Sequence, residues 1–290
     1  MSKLRIVFLI VVLLLGTGLI LLLIQKKTDG PLKPTMAPAF ETLGKPVDTV
    51  NKALTRSMPI DSMDEKKYGE AILKKIQWMA DLKSEGASFL DEVISRLSQF
   101  ASKPFKYTVL LIDNEGWGPN AFALPGGVII VTRPLLELME NDGEIASILA
   151  HEMGHIERSH CLSLIRFELA AKKIGVSDLG RIADFTMNFF LRNTYSKTQE
   201  NEADEYAFEV IKKSKYDPSA VADAFSMLLN YTGETKSTRT NVIQEYRMTH
   251  PYLALREAKF REEAKEWWAT HQDEKNKRVS NKINFKENSL

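Results

Sequence analysis

Residues 151–155 read His-Glu-Met-Gly-His, and this pentad ties the chain to one kind of local structure. Two histidines four apart stand one turn apart on the same face of an α-helix, where both imidazoles can reach a single metal ion. Glu152, next to the first histidine, is then placed to handle a proton of an attacking water. Together these residue types at this spacing describe the chemistry of a zinc peptidase.

The flanking residues supply the helix that the pentad needs. Asn141 reads as an N-cap with Glu144 three residues on as a capping box, and Ile145, Ile148, Leu149 and Ile156 recur at helical spacing. No proline interrupts residues 141–160. An ordinary amphipathic helix that carries two histidines is the competing reading of the pentad taken alone.

A catalytic zinc of this type takes a third protein ligand and keeps one position open. The stretch Thr198-Gln199-Glu200-Asn201-Glu202-Ala203-Asp204-Glu205 offers it. Glu200 and Asp204 are four apart and share a face with Ala207. Glu200 reads as the ligand, and Asp204, one turn on, as the acceptor for the free ring N–H of a ligating histidine. Glu202 falls on the opposite face and reads as solvated.

The segments HEMGHIERSH and ENEAD resemble those of the gluzincin family of membrane-associated zinc metalloendopeptidases that includes the CAAX prenyl endopeptidase and the HtpX and BepA proteases. The likeness extends to Asn120-Ala121-Phe122-Ala123-Leu124-Pro125-Gly126-Gly127, to Tyr216-Asp217-Pro218 and to Thr249-His250-Pro251, covering roughly residues 65 to 260 in family order. It implies His151, His155 and Glu200 as ligands of one Zn2+ per chain, and Glu152 as the catalytic base. It also favours His250 and Arg256 as donors to the oxyanion; without the resemblance either reads as a surface or capping residue. Lys197 and Lys215 depart from residues common in the family, away from every proposed ligand.

The first thirty residues hold an apolar run from Ile6 to Ile24, flanked by Lys3, Arg5, Lys26 and Lys27. At about 1.5 Å per residue such a run crosses a bilayer's hydrocarbon core, which predicts one N-terminal transmembrane helix. A cleaved signal peptide is the alternative, but Gln25-Lys26-Lys27 offers no small-residue cleavage site. Charge balance and the resemblance together favour a catalytic domain on the non-cytoplasmic, periplasmic side of a bacterial membrane, with the mitochondrial inner membrane as the alternative. The formal net charge is +1, and once those anchor-flanking cations are set aside no basic footprint for nucleic acid remains. The chain has one cysteine, Cys161, which reads as a small packed residue and not as a nucleophile.

The expected organisation is an anchor over residues 1–27, a Pro- and Gly-rich tether over 28–62, a metallopeptidase domain over 63–271 and a frayed polar tail over 272–290. Within the domain, Tyr68, Ile72, Ile76 and Met79 share a helix face, and a second helix is expected to begin at Ser88 with Asp91 completing its cap. Tyr107 to Ile112 and Val128 to Thr132 read as strands. The fold class is therefore α+β: a mainly helical zincin-like domain with a small β-sheet beside the metal helix.

Ala123, Leu124, Pro125, Gly126 and Gly127 belong to the candidate edge, Phe122 to Val128, on which an extended peptide could add as a strand. The two glycines allow either close approach of another backbone or a turn that launches the next strand. His160 cannot follow the peptidase pattern that uses a third histidine, because that ligand comes one residue later and after a glycine absent here. It reads as a helix end or as a residue behind the ligands. The polar stretch from Thr232 to Thr240 reads as a lid or a plain loop, and His271 as solvated.

Two functions compete. One is a membrane-anchored endopeptidase acting on misfolded or unassembled membrane and envelope proteins, a substrate class implied by the resemblance. The other is a catalytically quiet zinc protein that binds client polypeptides as a chaperone or assembly factor, against which the intact Glu152 argues. Polypeptides and the membrane are the expected partners, and the oligomeric state is left open.

Overall fold

The computed structural model describes residues 62–163, 195–234 and 252–285, apart from 279 and 284. The expected anchor at 6–24, most of the tether, His250 and all but the start of the 232–240 stretch lie outside the described residues. In chain order the elements are α1 (Ser62–Ile76), β1 (Ala80–Asp81), α2 (Glu85–Leu97), β2 (Thr108–Ile112), β3 (Ala121–Leu124), β4 (Val128–Thr132), α3 (Arg133–Leu138), α4 (Asp142–Glu157), α5 (Lys197–Lys213), α6 (Ala220–Glu234) and α7 (Leu253–Thr270). Among the described residues no helix is long and apolar enough to cross a membrane.

Among the described residues helices dominate, and four strands form one mixed sheet in the order β1-β2-β4-β3. β2 and β4 run parallel, with Thr108 opposite Val128 and Ile112 opposite Thr132. β1 pairs antiparallel with β2, and β3 antiparallel with β4, so β3 is an edge strand. Val109 to Ile112 and Val128 to Val131 are buried on both faces, which explains why they read as continuous apolar runs instead of an alternation. β2 and β4 were legible; the candidate edge at Phe122 to Val128 is β3 only as far as Leu124, where the turn begins, and β1, of two residues, carries no periodicity.

α4 is buried along almost its whole circumference, from Asp142 to Ile156. Sheet and helices enclose it, so its sequence shows only a partial stripe. Asn141 caps it as expected, its side-chain oxygen accepting from the Glu144 N–H at 3.0 Å. Glu144 reaches back to the Glu140 N–H at 2.6 Å. α2 differs from expectation: Ser84 is its N-cap, accepting from the Ala87 N–H at 3.2 Å, and the helix begins at Glu85. Asp81 orders the approach by accepting from the N–H groups of Lys83 and Ser84, a local turn that sets the start one turn before Ser88.

Gly126 and Gly127 have φ of 79° and 92°, the left-handed conformation that glycine adopts without strain. They make the turn that launches β4. The backbone that comes close at Gly126 is α1's own, since a Cβ on Gly126 would stand 2.7 Å from the Gly69 Cα and 2.8 Å from the Glu65 carbonyl oxygen. At Gly127 the neighbour is the Lys106 carbonyl. Both approaches expected for a substrate peptide at these glycines are thus filled by the chain itself.

The expectation of a frayed C-terminus is corrected between residues 272 and 285. Arg278 donates to the carbonyl oxygens of Ile211, Lys212, Ser214 and Tyr216 at 3.2, 2.8, 2.7 and 3.0 Å, satisfying groups that the last turn of α5 leaves open. Its guanidinium stacks on Trp267, and Trp267 stacks on His271, which is half-buried instead of solvated. Asn281 bonds both oxygens of Asp142 at 2.8 Å, at the start of α4. Polar composition suggested fraying because these contacts are carbonyl caps and ion pairs, which leave no apolar period. Arg278→Ala is expected to destabilise the protein by about 2 to 4 kcal/mol, seen as a lower denaturation midpoint. An unchanged midpoint would show that the tail holds nothing.

Candidate metal centre

The site is assembled where α4 and α5 pack almost backbone to backbone. A Cβ on Gly154 would stand 2.8 Å from the Ala203 carbonyl oxygen and 2.9 Å from its Cα. No larger residue fits at this crossing, and the resulting approach brings Glu200 and Asp204 under the histidines. α5 is started by a capping box in which Ser196 accepts from the Gln199 N–H at 3.3 Å and the Gln199 side chain accepts from the Ser196 N–H at 3.0 Å. That fixes Glu200 in the first turn.

His151, His155 and Glu200 converge, each buried to 3% exposure or less. Their potential ligand atoms lie within 4.8 Å of one another. His151 Nε2 is 3.1 Å from His155 Nε2, His155 Nε2 is 3.4 Å from Glu200 Oε1, and His151 Nε2 is 3.7 Å from Glu200 Oε2. Donor atoms about 2.0–2.1 Å from a tetrahedral zinc ion would stand about 3.4 Å apart, so two imidazoles and one carboxylate at these separations fit a single zinc. Glu152 is 1% exposed.

Each histidine is engaged on its other nitrogen as well. His151 Nδ1 lies 2.8 Å from Asp204 Oδ1, the arrangement in which a carboxylate fixes a ligand's tautomer. Arg256, from the first turn of α7, donates to both Asp204 oxygens at 2.7 Å through Nε and Nη2 and sets Nη1 2.8 Å from Glu200 Oε2. Burial alone would raise the Asp204 carboxyl, but the Arg256 charge and the His151 bond hold it below the usual carboxylate value. Arg256, expected as a donor to the oxyanion, is 7% exposed and places its guanidinium on these two carboxylates and 4.4 Å from the Phe225 ring centroid. His250 lies outside the described residues.

Further contacts surround the ligand candidates, among them those of His160, read as a helix end or as a residue behind the ligands, and of Cys161, read as a packed residue. The Tyr195 ring stacks on His155 with centroids 3.7 Å apart and an 18° tilt. Cys161 is fully buried, faces the Tyr195 hydroxyl at 3.3 Å and donates to the Ala123 carbonyl at 3.4 Å. Its thiol is raised by burial, as suits a packed residue and not a nucleophile. His155 Nδ1 is 3.0 Å from His160 Nδ1, and His160 Nε2 is 2.9 Å from Glu202 Oε2, so the residue expected to be solvated keeps one oxygen on a buried imidazole. No spacing rule could place His160 there, because the chain leaves α4 through Ser159 at φ 62°, a left-handed step that helix periodicity does not foresee.

A buried HExxH helix joined by a carboxylate from a second helix defines the class as a zincin-type metallopeptidase. The chain belongs to peptidase family M48, whose signature matches residues 85–264, and the enzyme class is that of a zinc metalloendopeptidase. It is 26% identical over 178 residues to metalloprotease YcaL of Escherichia coli (strain K12), covering 52% of this chain and 68% of that protein. It is 33% identical over 110 residues to mitochondrial metalloendopeptidase OMA1 of Schizosaccharomyces pombe, covering 35% of this chain and 32% of that protein. With the beta-barrel assembly-enhancing protease of Escherichia coli (strain K12) it shares 23% identity over 274 residues, covering 86% of this chain and 53% of that protein. The matches thus span from about a third to about two thirds of these relatives' own lengths.

Glu200→Ala is expected to abolish stoichiometric zinc retention on dialysis. Arg256→Lys should weaken zinc affinity about tenfold in chelator competition, because one ammonium cannot bond both Asp204 oxygens in parallel and also reach Glu200. Wild-type affinity in Arg256→Lys would refute a positioning contribution from the guanidinium.

Proposed function

We propose that this protein is a membrane-anchored zinc metalloendopeptidase that hydrolyses peptide bonds in misfolded or unassembled membrane and envelope proteins. The observation that carries the reading is the convergence of His151, His155 and Glu200, whose ligand atoms lie within 4.8 Å of one another, with the buried Glu152 on the same helix as the two histidines. His151, His155 and Glu200 are the residues that would hold the ion. Bound there, zinc supplies Lewis-acid chemistry, polarising the scissile carbonyl and lowering the pKa of water towards about 7.

Glu152 takes the proton of the attacking water and returns it to the departing amine, so one carboxylate serves as base and then as acid. Asp204 holds the His151 ring by its Nδ1–H, and Arg256 keeps both Asp204 oxygens in place while countering charge on Glu200. The substrate is held extended along β3. Pairing of Phe122 with Ile130 and Leu124 with Val128 through β4, in phase with the 3.0 Å bond from the Thr132 N–H to the Asn120 carbonyl, turns the polar backbone groups of the buried Ala121 and Ala123 away from β4. The Asn120 side chain accepts from the Ala121 N–H at 2.9 Å, and Cys161 takes the Ala123 carbonyl. The Ala121 carbonyl and the Ala123 N–H are the groups assigned to the peptide, a main-chain mode that tolerates many sequences.

The membrane setting draws on the apolar run at 6–24 and on relatives named for mitochondria and for β-barrel assembly. Glu152→Gln is expected to keep stoichiometric zinc while losing at least about 100-fold of wild-type casein cleavage; undiminished cleavage would reject the assigned base. The full-length chain should stay in the membrane pellet through alkaline extraction, and a chain lacking residues 1–27 should move to the supernatant. Release of the full-length chain under the same conditions would reject the anchor.

A further inference from the structure

His155 has two ring nitrogens with different neighbours. Nε2 faces His151 Nε2 and Glu200 Oε1 at 3.1 and 3.4 Å, while Nδ1 faces His160 Nδ1 at 3.0 Å. A nitrogen that gives its lone pair to a cation carries no proton, so the single proton of neutral His155 must sit on Nδ1. That N–H can only donate, which requires a bare Nδ1 on His160. The His160 proton is thereby forced onto Nε2, where Glu202 Oε2 lies 2.9 Å away. In the opposite tautomer of His160 two N–H groups would point at one another across 3.0 Å.

From this we infer that Glu202 and His160 form a relay behind His155 that selects the tautomer and fixes the ring plane of that metal ligand. His160 and Glu202 are positioning residues, and the inference rests on His155 being a ligand. The two sides of the centre are then held by different means. Asp204 accepts directly from His151, whereas His155 is reached through a second imidazole, because Glu202 is two positions from Asp204 on α5 and faces another direction. His160 is 5% exposed and the Glu202 side chain 50% exposed. An exposed carboxylate contributes little by charge alone, but here it decides which of two discrete proton arrangements a buried pair adopts.

The test uses the zinc-loaded full-length chain and two readouts besides activity. Long-range 15N correlation spectra should show the His155 proton on Nδ1 and the His160 proton on Nε2. Chelator competition should show zinc affinity falling about 10-fold in Glu202→Ala and up to about 100-fold in His160→Phe, with kcat reduced and KM unchanged. His160→Gln, whose amide can accept from His155 and donate to Glu202, should restore most of the loss. Because His160 is buried and its replacement could unfold the chain, the half-exposed Glu202 variant decides independently. A proton on His160 Nδ1, or wild-type affinity and kcat in Glu202→Ala, would overturn the relay while leaving the metallopeptidase reading intact. A wild-type chain that holds no zinc would sink both.

Discussion

The close crossing of α4 and α5 at Gly154 and Ala203 is the constraint on which the centre depends. Glutamate and aspartate side chains are short, and an ion accepts its donors only within a few tenths of an ångström of the ideal distance. If the helices were separated by one more methyl group, Glu200 would no longer complete the cluster with the two histidines. The packing is therefore chemical in its effect although apolar in its composition. It also explains why a glycine stands inside the pentad, at a helix position where propensity disfavours it by about 1 kcal/mol against alanine.

Around that crossing, one turn and a half of α5 serves the centre at three levels. Glu200 points into the cluster, Asp204 stands behind one histidine with Arg256 gripping it, and Glu202 stands behind His160. Carboxylates buried as deeply as Glu200 and Asp204 require charged or hydrogen-bonding partners. Arg256, supplied from α7, is shared between them and spans candidate ligand and support at once. The contacts of Tyr195 and Cys161 extend the same connectivity to β3, since one stacks on His155 and the other holds the Ala123 carbonyl.

Much of this was legible in the sequence because it repeats at helical or strand spacing. The pentad, the Glu200 and Asp204 pair, the Asn141 cap and the two long strands all depend on residues within a turn or a strand of one another. What escaped depends on irregular backbone or on distant partners. His160 reads as a helix end or as a residue behind the ligands, and the left-handed step at Ser159 that brings it to His155 is what no periodicity encodes. The two-residue strand β1 is held by its partner and not by its own pattern. Ser84 displaced Ser88 as a cap because a turn built by Asp81 precedes it. Of the two readings of Gly126 and Gly127, the turn that launches the next strand is the one adopted, and the backbones that come close there are the chain's own, α1 at Gly126 and Lys106 at Gly127.

The C-terminal segment bears on where this protein can be cut. Its Arg278 closes the far end of α5 and its Asn281 clasps the near end of α4, so one stretch of chain fastens the two helices of the candidate site at opposite extremities. α1, which lies before the family signature, fills the core with Tyr68 and Ile72. The packed unit is consequently longer than the family signature on both flanks. A fragment trimmed to residues 85–264 would keep every proposed ligand and yet lose the buckle that holds their scaffolds in register.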